Sequence, residues 1–204
     1  MWLEHDGVAL RWHYPIGVLY DMYGNNQLPW NLTVHFKNFP ETEILRCGSR
    51  EAMEAHFMSM LKEADCLKHR SVVMNAMKKN DHKQLWMGLC NDKFEQFWAV
   101  NKRLMERVNS EPFRAIPVKM YMSDGTMVQK LFKAVSNKGE LQTFGHYLKA
   151  CLPHVMDESK EGALSDKWKV TLQGVTPPLE TPMQWVSEHL SYPDNFLHLV
   201  VAQR

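Results

Sequence analysis

The C-terminal half of the chain contains a β-hairpin signal that constrains how the residues after it can fold. Residues 115–122 and 127–132 are two strand-like runs, and the short segment between them contains Asp124-Gly125. Asp-Gly between two such runs is typical of a tight hairpin turn. A helix is predicted over 141–152, with Thr143 as a candidate N-cap. The sequence therefore predicts two antiparallel strands followed directly by one helix.

The segments after this helix complete a recognisable order of elements. Residues 168–174 read as a strand and residues 196–201 as a terminal strand. Between them a short helix is predicted through Leu190, with Pro182 at its first position, where proline is favoured. The order of hairpin, helix, strand, short helix and strand is that of a ubiquitin-like β-grasp. We therefore predict such a domain over 111–204.

The N-terminal residues read as the second half of the same fold. Apolar runs flank Asp6-Gly7, which again predicts a hairpin. A short helix is predicted over 16–23, and the alternating residues 30–36 predict a strand. Strand, strand, helix and strand enclose little core. Residues 1–40 are therefore predicted to form an incomplete ubiquitin-like unit.

The middle of the chain is predicted to be helical. Over 41–110, Ala, Met, Leu, Lys, Glu and Gln replace β-branched residues, which favours three or four helices. Candidate N-caps are Ser49 or Ser71, and Asn91 or Asp92. One apolar stripe at helical spacing is predicted to face the core; it consists of Met53, Phe57, Met60 and Leu67. The predicted fold class is therefore α+β, with two ubiquitin-like β-grasp units, the first incomplete, flanking a helix-rich domain.

Composition argues against several classes of function. The chain has 24 basic and 23 acidic residues and a formal net charge of +1, so no global field favours nucleic acid. No apolar run approaches the roughly 20 residues of a membrane-spanning helix, and no signal peptide is visible, so we expect a cytoplasmic chain with free thiols. Phosphate-binding glycine loops and nucleophile elbows are absent. We therefore expect no catalytic residues, no cofactor and no metal.

A pair of potential metal ligands occurs in the helical region. Cys66 and His69 are three residues apart, a spacing that can place two ligands on one helix face. A zinc site needs two more ligands, and none lies nearby in the sequence. The favoured interpretation is a structural cysteine and a surface histidine.

A cysteine-dependent enzyme is the alternative from a different class. Cys90 with His82, and Cys151 with His146, are the nearest cysteine–histidine pairs. Such partners can be distant in sequence, but neither pair has a supporting local motif. A hydrolase or transferase using Cys90 or Cys151 would need a thiol with a depressed pKa.

Several longer stretches resemble a known family. They cover nearly the whole chain and lie at residues 10–17, 28–31, 54–59, 62–65, 81–89 and 187–198. In these stretches the chain resembles the autophagy protein 5 family. The resemblance implies two ubiquitin-like domains around a helix-rich one, and a non-catalytic scaffold that acts in autophagosome formation.

The resemblance implies that Lys62 is a conjugation acceptor. In the family, one lysine of the helical domain receives the C-terminal glycine of the ubiquitin-like autophagy protein twelve through an isopeptide bond. The matching position is Lys62. On a helical wheel it lies roughly opposite the apolar stripe, and its neighbours on that face are small: Ala55, Ser59 and Cys66. An amine that an enzyme-bound thioester must approach needs this exposure, although most helical lysines face water.

The resemblance also implies a groove for a second partner. Family members bind the N-terminal helix of the coiled-coil autophagy protein sixteen between the ubiquitin-like domains, and such binding needs apolar anchors. The candidate residues, each with a core role as its alternative, are Trp12, Tyr14, Pro15, Trp185 and Tyr192. The conjugate is then expected to position the transferring enzyme that joins a second ubiquitin-like modifier to phosphatidylethanolamine, as a peripheral complex recruited to the preautophagosomal membrane.

The two ends of the chain qualify these expectations. Family members carry a further stretch before the position of Met1, so the first ubiquitin-like unit is expected to have an open sheet edge. The chain ends at Arg204, whereas a modifier needs a terminal Gly-Gly, so the chain is not expected to be a conjugation donor. A passive or interfering adaptor, which binds partners without being conjugated, is the alternative to the acceptor scaffold.

Overall fold

The computed structural model describes residues 1–25, 27–157, 160 and 162–204. Two β-sheets lie at the two ends of the chain, and four helices lie between them. The strands are β1 (Trp2–His5), β2 (Val8–Ala9), β3 (Thr33–His35), β4 (Ile116–Met122), β5 (Met127–Phe132), β6 (Trp168–Thr171) and β7 (Leu197–Gln203). The α-helices are α1 (Ile16–Tyr23), α2 (Arg50–His69), α3 (Val72–Ala76), α4 (Lys79–Cys90), α5 (Phe94–Met105), α6 (Phe144–Cys151) and α7 (Met183–Leu190). The predicted fold class is confirmed.

The C-terminal sheet has the mixed topology of a β-grasp. Its strand order is β5-β4-β7-β6, with β4 parallel to β7 and both outer pairs antiparallel. Thr143 caps α6 as predicted, because its hydroxyl accepts a hydrogen bond from the backbone N–H of His146 at 3.3 Å. Residues from α6 and from the inner face of the sheet form one core, which includes Phe144, Leu148, Val118, Val170 and Leu199.

The N-terminal sheet is small. Its order is β2-β1-β3, and all of its pairs are antiparallel. The predicted hairpin at Asp6-Gly7 and the predicted helix over 16–23 are confirmed. The strand predicted over 30–36 is limited to Thr33–His35, because only these residues pair with β1. The outer end of this strand leaves Phe36 78% exposed.

The helical region contains the predicted number of helices, but one pair of predicted caps is wrong. Ser49 caps α2 by accepting a hydrogen bond from the backbone N–H of Ala52 at 3.2 Å. Asn91 and Asp92 instead end α4, since the N–H of Asn91 donates to an α4 carbonyl and Asp92 has a left-handed φ of 51°. An N-cap needs extended backbone angles, so neither residue can start α5.

The face that α2 buries differs from the predicted stripe. The buried residues of this helix are Phe57, Leu61, Ala64, Asp65, Lys68 and His69. Within the stripe, Met53 is 40% exposed and Met60 and Leu67 are only half-buried. The buried face is therefore rotated toward positions that include two charged residues. The expectation that the stripe faces the core is wrong except at Phe57.

A seam of buried polar side chains joins the helical bundle to the C-terminal domain. The amide of Asn195 donates to Oδ1 of Asn101 on α5 at 2.7 Å. The backbone N–H of Phe113 donates to Oε1 of Gln184 on α7 at 2.8 Å. Buried polar groups are costly unless they are paired, so these bonds fix one relative position of the two domains.

The same seam contains a fully buried lysine. Lys68 is 2% exposed, and its Nζ lies 4.0 Å from Sδ of Met105 and 5.0 Å from the centre of the Phe113 ring. It forms no ion pair with a described residue within 4.0 Å. Burial lowers its pKa to about 7, although nearby carboxylates act in the opposite direction. This amine is held in the interior at an energetic cost.

We expect Gly88→Ala to destabilise the fold. A Cβ at Gly88 would lie 2.6 Å from the backbone nitrogen of Phe97 and 2.8 Å from its Cα, so α4 and α5 would have to separate. The overpacking cost, about 1–3 kcal/mol, exceeds the gain of about 1 kcal/mol in helix propensity. Urea unfolding followed by circular dichroism measures the change. Gly48→Ala is the control, because a Cβ there meets no atom within 4 Å; equal stability of both variants would contradict the close contact.

We expect Lys68→Met to stabilise the chain by at least about 1 kcal/mol at neutral pH. In the unfolded chain the amine has its ordinary pKa of 10.5, whereas in the folded chain the pKa is about 7. Between these values the unfolded state binds the extra proton, so the stability of the parent rises with pH. The advantage of the methionine variant should therefore be largest at and below pH 7 and shrink toward pH 10. Urea unfolding across this range tests the prediction, with the exposed Lys79→Met as control; a gain independent of pH would contradict it.

Candidate functional site

The predicted acceptor lysine lies on the exposed face of α2. Lys62 is exposed and forms no ion pair with a residue that the structure describes. Ala55, Ser59 and Cys66 flank it on the same face, and all three are exposed and small. The next residue, Glu63, lies about 100° around the helix from Lys62 and accepts a hydrogen bond from the Gln129 amide on β5 at 2.7 Å. The amine is therefore open to approach from solvent.

Exposure alone does not distinguish this lysine from others in the bundle. Lys79 and Lys83 on α4 are also exposed, and both lie in a region that also contains Arg50 and His82. The assignment of Lys62 as an acceptor therefore stays a prediction that rests on resemblance and is compatible with the geometry.

A groove runs along the place where all three parts of the chain meet, and we call it the junction groove. Its first cavity, of about 350 Å³, is bounded by the segment before α1, by α2 and α4, and by the loop after α7. The residues that line it are Trp12, His13, Tyr14, Pro15, Ile16, Gly17, Met53, His56, Phe57, Met60, Trp86, Leu89, Tyr192, Pro193 and Asp194.

The second cavity of the junction groove adjoins the first and is larger, about 860 Å³. It lies between α4 and α5 on one side and α7 on the other, and it shares Leu89, Tyr192 and Pro193 with the first cavity. Phe94 at its edge is 64% exposed and stacks on Trp98. The groove therefore continues as a mostly apolar channel across the bundle and the C-terminal domain.

The structure brings most of the predicted partner-binding residues together. Four of the five line the first cavity: Trp12, Tyr14, Pro15 and Tyr192. Trp185 lies outside it, 45% exposed, and stacks at 4.4 Å on His189, which lines the second cavity.

Two of these residues also have structural roles. The hydroxyl of Tyr14 accepts a hydrogen bond from Nη1 of Arg11 at 2.6 Å, and its ring packs on Tyr121. Tyr192 is 8% exposed, and its hydroxyl lies 2.8 Å from where a Cβ on Gly17 would be. These two tyrosines therefore form the walls of the groove, while Trp185 presents a more accessible ring.

Sequence reasoning missed the part of the groove that α2 supplies. Met53, Phe57 and Met60, which were predicted to face the core, line the first cavity together with His56. The apolar stripe was therefore correctly detected, but its partial exposure was not predicted. A pattern of apolar residues does not distinguish a core face from an uncovered binding face.

A histidine pair was also missed. The rings of His13 and His56 lie 5.9 Å apart, and Trp12 contacts both at 5.5 Å. Burial lowers the pKa of each imidazole. For His13 the nearby His56 and the cations Arg11 and Lys119 act in the same direction, and for His56 Lys119 does so while Asp194 opposes it weakly.

Beside the groove, Asp194 belongs to a buried relay of hydrogen bonds. The hydroxyl of Tyr121 donates to Nδ1 of His198 at 2.8 Å, and Nε2 of His198 donates to Oδ2 of Asp194 at 2.9 Å. Lys119 lies 3.9 Å from the same carboxylate. Burial would raise the pKa of Asp194, but His198 and Lys119 outweigh it and hold that pKa below its ordinary value. The ionised carboxylate therefore fixes the loop that closes the groove.

The cysteine–histidine pairs do not form a nucleophilic site in the structure. Burial raises the pKa of the Cys151 thiol, which opposes thiolate formation. His146 is occupied in capping α6, where its Nδ1 accepts from the backbone N–H of Thr143 at 3.1 Å. Cys90 and His82 lie at opposite ends of α4, about 12 Å apart along the helix axis.

The two potential metal ligands, Cys66 and His69, do not form a common site either. His69 is buried, with Nδ1 on the Asp65 carboxylate at 2.9 Å and Nε2 on the Glu106 carbonyl at 3.2 Å, whereas Cys66 is exposed. The favoured interpretation of a structural cysteine and a surface histidine is therefore wrong. Among the described residues, no three His, Cys, Asp or Glu side chains are placed to hold a metal ion. Nor does any described helix combine the length and apolar character needed to cross a membrane.

A helical bundle between two ubiquitin-like units, with a groove where they meet, defines a class of multi-domain α+β proteins built on the ubiquitin-like fold. Family models match all three parts: "Autophagy protein ATG5, UblA domain" over residues 1–36, "alpha-helical bundle region" over 50–107, and "UblB domain" over 115–201. The chain belongs to the autophagy protein 5 family, a family of scaffold type, and has a role in autophagy.

Individual relatives agree with this assignment. Autophagy protein 5 of Drosophila melanogaster is 47% identical over 98% of this chain and 73% of its own length. Autophagy-related protein 5 of Caenorhabditis elegans is 32% identical over 98% of this chain and 74% of its own length. The crystal structure of Kluyveromyces marxianus Atg5 has a similar fold, with a TM-score of 0.75 at 19% identity, covering 98% of this chain and 72% of that one.

We expect Asp194→Asn to destabilise the chain by about 3 kcal/mol at pH 7, because His198 and Lys119 lose a buried ionised partner. The folded-state pKa of Asp194 is depressed, so as pH falls below about 4 the unfolded chain takes up this proton first and the parent loses stability. The difference between variant and parent should therefore shrink in acid. Urea unfolding at pH 7 and pH 3 measures it, and the exposed Asp92→Asn is the control. A difference that stays constant with pH would contradict the relay.

Proposed function

We propose that the chain is a conjugation-acceptor scaffold of autophagy that catalyses no step itself. In this proposal Lys62 receives the C-terminal glycine of the ubiquitin-like autophagy protein twelve, and the junction groove binds the N-terminal helix of the coiled-coil autophagy protein sixteen. The conjugate then promotes transfer of a second ubiquitin-like modifier to phosphatidylethanolamine by a separate transferring enzyme. The chain acts in the cytoplasm and is recruited, through this complex, to the preautophagosomal membrane.

The choice of Lys62 as acceptor rests on the family resemblance, and the open face around this lysine supports it. The donor arrives as a thioester of its terminal glycine on an enzyme cysteine. The uncharged amine of Lys62 attacks the thioester carbonyl, an amide bond forms, the amine loses its proton, and the cysteine leaves as a thiolate. Small exposed neighbours at Ala55, Ser59 and Cys66 leave room for that large enzyme complex. The chain contributes position rather than acid or base catalysis.

The groove supports the second half of the proposal. A helix is about 10–12 Å across with its side chains, and an amphipathic helix binds by placing apolar anchors in a preformed groove. The two adjoining cavities offer such a floor, with Met53, Met60 and Trp86 in the first and Phe97 in the second. Large side chains at Trp12 and Trp185 flank it at the surface.

On α2, the groove and the acceptor occupy opposite faces. Met53, Phe57 and Met60 lie within about 60° of one another around the helix, and Lys62 lies roughly 170° from their mean direction. The donor and the helical partner therefore approach from different sides, and both can be bound at once.

We expect Lys62→Arg to abolish conjugation. The purified chain would be incubated with the ubiquitin-like donor, its activating and transferring enzymes, and ATP, and the adduct would be detected by gel shift and mapped by mass spectrometry. Arginine keeps the charge and the helix but is not a nucleophile at neutral pH. The matched control is Lys79→Arg, which changes an equally exposed lysine and should leave the adduct unchanged.

Two outcomes would argue against the acceptor role. An adduct on Lys79 or Lys83 that persists in the Lys62→Arg variant would move the acceptor elsewhere on the bundle. Absence of any adduct on a chain shown to be folded by circular dichroism would favour a passive or interfering adaptor.

A further inference from the structure

We propose that the junction groove takes a helix whose apolar face carries no carboxylate where it crosses His13 and His56, and that it holds this helix most tightly while both imidazoles are neutral. The inference rests on the proposed binding of a helix in the groove. It specifies that the partner has no carboxylate where it crosses the two histidines, and that the affinity depends on pH.

The geometry places the two histidines where an occupant must cover them. His13 precedes α1 and His56 lies on α2, so they come from two different parts of the chain, and both line the first cavity. Their rings lie 5.9 Å apart, and Trp12 contacts both of them. Neither imidazole forms a hydrogen bond with a described residue, so their polar atoms are solvated through the open mouth of the cavity.

The charges around the pair oppose protonation. On its own segment His13 has Arg11 and Tyr14 beside it, and β4 contributes Lys119. The loop after α7 contributes Asp194, but this carboxylate already accepts from His198 at 2.9 Å and faces Lys119 at 3.9 Å.

The other elements that line the first cavity contribute no charge to it. From α1 and α4, the residues that line the first cavity are Ile16, Gly17, Trp86 and Leu89, and none of them titrates. Tyr192, from the loop after α7, is the remaining titratable side chain, and burial raises its pKa, so it stays neutral. Among the residues that line the first cavity, the only carboxylate is therefore Asp194, which His198 and Lys119 already neutralise.

An apolar helix over this pair makes protonation harder still. It removes the water that solvates the two imidazoles, and desolvation disfavours the charged form. By linkage, a ligand that binds the neutral form better loses affinity when the free protein takes up protons. Affinity should therefore be full above the ordinary histidine pKa near 6.5 and fall as pH drops through the lower pKa values that the two imidazoles have in the free protein. A carboxylate on the partner at this point would reverse this pH dependence, so that affinity would rise as pH falls.

The test measures binding of the 204-residue chain to a fluorescent peptide with the sequence of the N-terminal helix of the coiled-coil partner. Fluorescence anisotropy would give the dissociation constant at pH 7.5 and pH 5.5. We expect it to rise roughly tenfold at the lower pH. In His13→Phe/His56→Phe, which keeps both rings and removes both titrations, it should change little. The control His154→Phe alters a histidine that packs on Trp168 and lines neither cavity of the groove, and it should keep the parent's pH dependence.

Each outcome has a definite meaning, provided that circular dichroism shows every variant folded at both pH values. The single variant His56→Phe, at an exposed position, replaces the double variant if the latter does not fold. Equal affinity of the parent at both pH values would overturn this inference and leave helix binding in place. Tighter binding at pH 5.5 would contradict the proposal that the partner's apolar face carries no carboxylate at this point. Absence of binding at either pH would remove the proposed helix site itself.

Discussion

The cost of burying unpaired polar groups determines how the bundle sits on the C-terminal domain. The side-chain carbonyl of Asn101 on α5 accepts from the Asn195 amide, and the backbone N–H of Phe113 is paired by Gln184. These contacts have few geometric solutions, whereas apolar surfaces tolerate sliding. Both proposed sites depend on this one position, because α2 presents Lys62 outward and the junction groove inward only when the seam is closed.

The elements of the fold were predicted correctly from the sequence where residues close together in the chain determine the backbone conformation. Asp124-Gly125 and Pro182 specify their turn and helix start through backbone angles that few other residues favour. The orientation of α2 did not follow, because its buried face includes Asp65 and Lys68, which a hydropathy pattern counts as exposed. Asp65 is paired locally, by His69 and by the backbone N–H of Met74, but Lys68 packs on Met105 and Phe113. No local window of sequence contains the partners of this lysine.

The residues of the candidate site were likewise predicted only in part. Lys62 was predicted to be exposed from helical periodicity, and it is, but its choice among several exposed lysines came from resemblance alone. Trp12 and Tyr192 were selected as large aromatics beside prolines, and the fold brings them to one cavity. His13 and His56 were missed, because each is unremarkable alone and only their approach across 43 positions of sequence creates a pair.

The length of α2 has a mechanical consequence. Its 20 residues form a rod of about 30 Å that is gripped by the seam near His69 and flanked by the groove around Met53 to Met60. Lys62 lies between these two contacts, and Glu63 beside it is tied to β5. A protein attached at Lys62 would therefore pull on the same stiff rod that forms one wall of the groove, so the attached domain and the occupant of the groove share one mechanical support.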